Sequence, residues 1–189
     1  MTESLDNSVA PQRLDPAQQT QRWLSNIVVG LNLCPFAAPV LKQGGLHIEV
    51  CEAELIDHLL AAVLQQLDKI QQCDESSIAT SLLVFSHGLT DFDQYWDFVE
   101  IANEVLVEVG LEGIIQIATF HPNYCFEGMD EDDVSNYTNR SPYPMLHFIR
   151  EEQLEKALAS YPDVDKIPDT NIQRLQSLGK TELLKLLAQ

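Results

Sequence analysis

The sequence has no closely spaced pair of cysteines. Its four cysteines, Cys34, Cys51, Cys73 and Cys125, are spread along 189 residues and include no CxxC pair. Cysteines distributed in this way through a chain of this length are typical of free thiols and not of a disulfide framework. We therefore predict four free thiols.

Long apolar runs are also missing. No run approaches the roughly 20 apolar residues that a helix needs to span a bilayer. The first residues, MTESLDNSVAPQR, lack the basic-then-apolar order of a secretory signal. We predict a cytoplasmic protein that does not interact with a membrane.

Basic residues are scarce, since 11 Lys and Arg stand against 29 Asp and Glu, giving a formal net charge of −18. Proteins that bind nucleic acid or an anionic membrane meet the phosphates with clustered Lys and Arg. This balance argues against both partners. A small anionic ligand remains possible only where the chain forms a local basic pocket.

The chain does contain enough apolar residues for one substantial core. Hydrophobic residues make up 45% of its 189 residues, which fits one domain better than two. Residues 1–14 are polar and are predicted to be a flexible N-terminal tail. Residues 15–189 are predicted to form a single globular domain.

Hydrophobic periodicity predicts alternating strands and helices. Asp15 and Pro16 begin a helix that ends near residue 33, before Pro35. Two strand, helix, strand units follow, which favours parallel pairing with right-handed crossovers. We predict an α/β fold, or an α+β sandwich, in which helices pack on a single four-stranded mixed sheet with three parallel strands and one antiparallel strand. The predicted strands are residues 46–51, 78–86, 114–120 and 145–149, and the predicted helices after the first are residues 53–72, 91–110, 151–160 and 170–178. The leucines of residues 181–189 are predicted to pack on the domain or on a second copy.

This topology predicts where the reactive side chains meet. Ligands bind at the carboxyl ends of the strands in open α/β sheets. His87 follows the second strand and His121 follows the third. The fourth strand returns without a helix and so should be antiparallel, which brings Arg140 to the same edge. Residues 119–150 therefore become the centre of the predicted site.

Four segments of the chain are distinctive, namely WLSNIVVGLNLCPFAAPV, GLTDFDQYWDF, GIIQIATFHPNYCFEG and TNRSPYPMLHFIRE. Together they resemble an uncharacterised bacterial family, domain of unknown function 1415, and the likeness extends from about residue 20 to residue 160. The resemblance implies no established activity, cofactor or substrate. It implies a shared pattern at Cys34, Pro35, His121, Pro122, residues 138–144, His147, Arg150 and Glu151. The Cys125 position departs from that pattern, which argues against a general role for its thiol.

Arg140 is the main candidate for binding an anion. It lies in TNRSPYP, where prolines stiffen the loop and Asn139 and Ser141 add donors. A guanidinium held in place is a planar fork that matches a carboxylate or a phosphate. Arg150 is a second candidate cation. The alternative is that Arg140 pairs with the acidic residues at 130–133 and only holds its own loop together.

The candidate catalytic residues are histidines, because imidazole titrates near neutral pH. His121 is a candidate general base and His147 a candidate assistant, while His87 is a candidate for contacting the substrate. The alternative for each is a structural role, which is the more usual one for a histidine inside an apolar strand, such as His147. These histidines with Asp132 or Asp133 could also bind a metal ion, although the sequence has no tight ligand spacing such as HxxxH.

Cys34 with Pro35 and Phe36 suggests a redox thiol, because active cysteines of thioredoxin-like folds have similar neighbours. Those cysteines precede a helix, where the helix dipole stabilises thiolate, whereas Cys34 follows a predicted helix end, where the dipole opposes it. No second cysteine lies near in sequence. We keep a thiol-dependent redox protein as one alternative function.

Our leading hypothesis is a small-molecule enzyme with an anion-binding pocket of His and Arg at the strand edge. In it Arg140, with Asn139, Ser141 and Arg150, orients the substrate and His121 moves a proton. The cofactor is not indicated by the sequence. The alternative from another class is a non-catalytic binding module or a homo-oligomer assembled through the leucines of residues 183–187.

Overall fold

A four-stranded mixed sheet forms the centre of the structure, a computed structural model that describes residues 14–187. The predicted tail therefore lies outside the described residues except for Leu14. The strands, in the order β1-β2-β4-β3 across the sheet, bring distant parts of the chain together. Their bounds are β1 Leu46–Cys51, β2 Thr80–Phe85, β3 Ile115–Phe120 and β4 Met145–Arg150.

Helices cover the sheet on both faces. They are α1 Pro16–Trp23, α2 Ala37–Gln43, α3 Ile56–Gln72, α4 Phe92–Glu108, α5 Glu151–Ala159, α6 Ile167–Leu178 and α7 Lys180–Leu187. Asp15 caps α1 by accepting a hydrogen bond from the backbone of Gln18, as its place before Pro16 predicts. The sequence did not predict α2. Among the described residues, no helix is long and apolar enough to cross a membrane.

Side-chain alternation along the strands divides the core into two layers. Leu146 and Phe148 face α3 and α4, where they pack with Val63, Tyr95 and Phe98. Met145 faces the other way, into a layer built from α1, the helical segment Leu24–Val29 that follows α1, α6 and α7. The predicted α/β class is confirmed, because each face of the sheet buries an apolar helix surface.

The prediction of three parallel strands is wrong. Only β1 and β2 pair in parallel, and β3 pairs with β4 alone, in antiparallel orientation. The reason is that β4 lies between β2 and β3. Met145, Leu146 and Phe148 are all buried, which suits a central strand, whereas β3 carries the exposed Gln116, which suits an edge.

The inserted β4 still leaves three strands pointing in the same direction. Because β4 is antiparallel to both of its neighbours, β3 runs the same way as β1 and β2. The carboxyl ends of β2 and β3 consequently lie at the same edge as the start of β4. At this edge the amide of Phe85 donates to the carbonyl of Pro144 at 2.9 Å. The edge therefore brings the segments that follow β2 and β3 to the loop that precedes β4.

Candidate functional site

The loop before β4 is joined to the end of β3 by backbone hydrogen bonds. The amide of His121 donates to the carbonyl of Asn139 at 3.2 Å, and the amide of Ser141 donates to the carbonyl of His121 at 3.4 Å. The side-chain amide of Asn139 donates to the carbonyl of Thr119 at 3.1 Å. Asn139 thus fixes the loop to the strand. Ser141 is buried, and its hydroxyl donates to the carbonyl of Tyr143 at 2.6 Å.

His121 lies at this edge but is completely buried, with 0% of its surface exposed. Its Nδ1 accepts from the amide of Asn123 at 3.0 Å, and its Nε2 donates to the carbonyl of Leu89 at 3.0 Å. These two partners require the neutral imidazole, and burial lowers the pKa of the ring. His121 therefore connects the end of β3 to the loop after β2, and neither nitrogen is free to accept a proton.

His87 lies on the loop after β2, with its ring in solvent. Its Nδ1 is 2.9 Å from the hydroxyl of Ser86, and the same hydroxyl donates to the carbonyl of Cys51 at 3.3 Å. His87 is not among the residues that line the cavity described below.

The side chain of Arg140 is half-buried and points into its own loop. Its Nε donates to the carbonyl of Tyr124 at 3.0 Å, and one terminal nitrogen, Nη2, donates to the carbonyl of Glu131 at 2.7 Å. The guanidinium also lies 4.6 Å from the ring centre of Tyr137. The loop is therefore held by Arg140, but through carbonyl groups.

The acidic run at residues 130–133 does not form a salt bridge with Arg140. Asp132 instead pairs with Lys180 at 2.5 Å, and this hydrogen bond lowers the pKa of the Asp132 carboxyl, with a smaller contribution from the charge of Arg140. Within residues 14–187 the second terminal nitrogen of Arg140, Nη1, has no hydrogen-bond partner. That nitrogen remains available to a ligand.

His147 and Arg150 lie away from this loop. His147 is in the middle of β4, where its Nε2 is 2.6 Å from the hydroxyl of Thr80. Arg150 is at the far end of β4 and donates to the carbonyls of Ile70, Cys73 and Ile78. Since Ile70 and Cys73 lie at the carboxyl end of α3, Arg150 satisfies orphan carbonyl groups there. Arg150 and Arg140 do not contribute to one pocket.

A cavity of about 670 Å³ lies beside Arg140, on the face of the sheet covered by α1. Polar side chains that line it include Arg22 and Asn26 from α1 and its extension, and Asn123, Arg140 and Ser141 from the loop segments. No Asp, Glu, Lys, His or Cys is among its described lining residues. The volume is in the range of small-molecule sites. The cavity therefore combines two guanidinium groups with neutral donors.

Arg22 and Asn26 were not predicted from the sequence. They are four residues apart, so they lie on the same side of the first helical segment. Trp23, which is buried between them, donates its indole N–H to the carbonyl of Arg140 at 3.0 Å. A polar stripe flanking buried residues in an amphipathic helix is the signal that could have identified Arg22 and Asn26.

The sequence predicted that the first helix continues to about residue 33. The segment that carries Asn26, Leu24–Val29, is instead a π-helix. The amide of Gly30 donates to the carbonyl of Ser25 at 3.0 Å, and the amide of Leu33 donates to that of Val28 at 2.8 Å. A Cβ on Gly30 would lie 2.1 Å from the carbonyl oxygen of Asn26. The wide turn therefore requires glycine. Short π-helical segments are frequent at functional sites.

Cys34 lies between the π-helix and α2, and it does not line the cavity. Burial raises the pKa of its thiol, and this outweighs the effect of nearby backbone amides of Phe36 and Ala37. All four cysteines are free, as predicted. Among residues 14–187, no group of three or more His, Cys, Asp and Glu side chains is placed to hold a metal ion.

The family model described as "Protein of unknown function (DUF1415)" matches residues 15–185. The chain therefore belongs to this family. No curated protein and no solved structure matches the chain.

Proposed function

We propose that this member of the DUF1415 family binds a small anionic ligand in the cavity between α1 and the loop before β4. The observation that carries the proposal is the sign of the charges around the cavity. The chain has 29 acidic residues and 11 basic ones, yet the described lining contains Arg22 and Arg140 and no carboxylate. A local excess of positive charge in such an acidic chain fits an anionic ligand.

The chemistry of the lining supports the same conclusion. Arg22 lies in solvent at the end of α1 and has no hydrogen-bond partner among the described residues. Arg140 offers its remaining terminal nitrogen, and the amides of Asn26 and Asn123 are further donors. Charge-assisted hydrogen bonds from guanidinium groups are stronger than neutral ones, so the two arginines should dominate affinity.

The geometry favours the binding part of the predicted function over the proton-transfer part. Both nitrogens of His121 have partners inside the protein, and His147 lies along β4 beside Thr80. A general base must reach the proton that it abstracts. Catalysis by either histidine would therefore require it to leave its present contacts. A thiol reaction at Cys34 has less support still, because burial disfavours the thiolate form.

The test is anion binding by the wild type and by Arg22→Gln, followed with NMR chemical shifts during titration with acetate and with inorganic phosphate. Losing one charge-assisted hydrogen bond should weaken binding by about tenfold. Lys42→Gln is the matched control, because Lys42 is an exposed cation on α2 that does not line the cavity. Equal affinities in Arg22→Gln and Lys42→Gln would show that binding is non-specific and would refute the proposal.

Arg140→Gln is a second variant, with a different expected outcome. Arg140 also holds the carbonyls of Tyr124 and Glu131, so its replacement should weaken the anion site and also lower the melting temperature. Arg22→Gln should leave the melting temperature nearly unchanged. The contrast separates a contact with the ligand from a contact that shapes the site.

The alternative of homo-oligomer assembly is supported by apolar side chains of α7 that remain in solvent. Leu184 is 46% exposed and Leu187 is 38% exposed. Sedimentation velocity over a range of protein concentrations tests this alternative. A constant sedimentation coefficient in the wild type, with anion binding retained, would favour ligand binding over assembly.

A further inference from the structure

We propose that the ligand of this cavity is an amphipathic carboxylate, meaning one carboxylate group on an apolar body. This inference rests on the proposed function and deepens it. It combines the two guanidinium groups of the cavity with the apolar side chains of α7 that face the same space. Leu184 and Leu187 both line the cavity although about two fifths of each side chain is exposed.

The apolar part of the lining comes from several elements. Ile27 lies on the π-helix, Pro122 and Pro142 lie on the loops beside the strand edge, and Leu184, Leu186 and Leu187 lie on α7. Apolar surface in contact with water is unfavourable, and a ligand with an apolar body would remove part of it from solvent. A ligand that is charged throughout would leave these side chains in water.

The polar part of the lining matches one carboxylate better than a phosphate group. Two of the three guanidinium nitrogens of Arg140 already donate to carbonyl groups of the loop. Arg22 is thus the only guanidinium of the described lining whose whole donor fork is available. No lysine lines the cavity among the described residues. Phosphate sites usually offer more donors, from backbone amides at a helix start or from additional cations.

The positive charge of the cavity favours an anion, and the leucines of α7 favour an anion that has an apolar body. The ligand carboxylate would receive hydrogen bonds from Arg22 and from the remaining terminal nitrogen of Arg140. Its apolar body would contact Leu184 and Leu187. A volume of about 670 Å³ exceeds the requirement of a small inorganic anion and leaves space for such a body.

The experiment titrates the full-length protein with acetate, butanoate, hexanoate, octanoate and inorganic phosphate, each below its aggregation limit. We expect affinity to rise by roughly two- to fourfold for each added methylene that becomes buried. Phosphate is expected to bind more weakly than octanoate. Arg22→Gln should weaken the binding of every carboxylate by a similar factor, because the charged group is common to the series.

Leu184→Ser tests the apolar part, with Leu64→Ser as its matched control. Leu64 is 44% exposed on α3, which covers the opposite face of the sheet. Both replacements alter a solvent-exposed leucine of a helix, so their effects on stability should be similar. We expect Leu184→Ser to reduce the gain in affinity with the length of the carboxylate's alkyl chain, and Leu64→Ser to leave that gain unchanged. Circular dichroism of both variants checks that they fold.

The outcomes of these titrations separate this inference from the proposed function. If acetate and octanoate bind equally well and both depend on Arg22, the anion site stands and the amphipathic ligand is refuted. Phosphate binding more tightly than octanoate would also refute the amphipathic ligand. If no carboxylate depends on Arg22, both proposals fail. If octanoate binding is unaffected by Leu184→Ser and by Arg22→Gln, the ligand binds elsewhere and the inference is overturned.

Discussion

Replacing His147 with glutamine is expected to reduce the acid sensitivity of the fold. His147 is half-buried in the middle of β4, 2.6 Å from the hydroxyl of Thr80. That hydroxyl also donates to the carbonyl of Phe148 at 2.7 Å. Because a hydroxyl has one hydrogen, Nε2 of His147 must then be the donor to Thr80. The hydrogen bond to Thr80 thus places a hydrogen on Nε2, and burial of the ring favours its neutral form.

Burial lowers the pKa of His147 from 6.5 to about 4. Between these two values the unfolded chain binds a proton that the folded chain does not bind, so acidification favours unfolding. The contribution of His147 to stability is complete above pH 6.5 and is lost as the pH falls towards 4. At about 1.36 kcal/mol for each pKa unit, a difference of this size corresponds to about 3 kcal/mol in the free energy of unfolding.

The assay is urea unfolding followed by circular dichroism between about pH 4 and pH 7.5, for the wild type and for His147→Gln. The glutamine amide can still donate to Thr80, so the variant should fold. Glu49 and His121 also have lowered pKa values, from a hydrogen bond with Lys69 and from burial respectively. Both groups also lower the free energy of unfolding as the pH falls. Because wild type and variant both contain them, their contributions cancel when the two proteins are compared.

We expect the difference in the free energy of unfolding between the two proteins to change by about 2–3 kcal/mol across this pH range. The free energy of unfolding of the wild type should fall more in acid. His58→Gln, which changes an exposed histidine of α3, is the control and should show no such effect. A direct NMR titration of the His147 ring provides a second measurement. A midpoint near 6.5, or parallel stability curves for wild type and His147→Gln, would refute the reasoning.

Three further predictions concern residues outside the cavity lining. Gly30→Ala should destabilise the protein by about 1–3 kcal/mol, because the added methyl collides with the carbonyl of Asn26; an unchanged urea midpoint would contradict the π-helical geometry. Arg150→Gln should cost about 2–4 kcal/mol by removing hydrogen bonds to backbone carbonyl groups, yet should leave acetate binding unchanged in the NMR titration. Cys34 should react with iodoacetamide more slowly in the native protein than in urea, because burial raises its pKa; mass spectrometry of the labelled peptide measures both rates.

Sequence periodicity predicted the strands well, because each is marked either by a short apolar run, as in β2, or by alternating apolar residues, as in β1. The predicted strand at residues 46–51 has the bounds of β1, and the others differ by at most two residues at either end. Pairing partners were harder to predict. Two strand, helix, strand units suggest adjacent parallel strands, but they do not exclude a later strand that inserts between them. The burial of both faces of β4 is the feature that decides its central position.

The direction of side chains limited the prediction of the site. The sequence indicated that His121 and Arg140 lie at one edge of the sheet, and their backbones do lie close together there. It did not indicate that the His121 ring turns inward to Leu89 and Asn123. Hydrogen bonds to backbone groups of other loops depend on tertiary structure. No local pattern encodes them, whereas helix caps such as Asp15 are encoded locally.

The polar density of residues 119–150 follows mainly from the way this segment holds itself together. Asn139 donates to a carbonyl of β3 and most of the Arg140 side chain donates to carbonyls of its own loop, as expected where a long connection between two strands must satisfy its backbone groups. A segment organised in this way has few donors left for a ligand. The missing donors come from Arg22 and Asn26, which lie where α1 widens into the π-helix. Because Trp23 also donates to the carbonyl of Arg140, the widened helix and the loop fix each other's position, and the shape of the cavity depends on both.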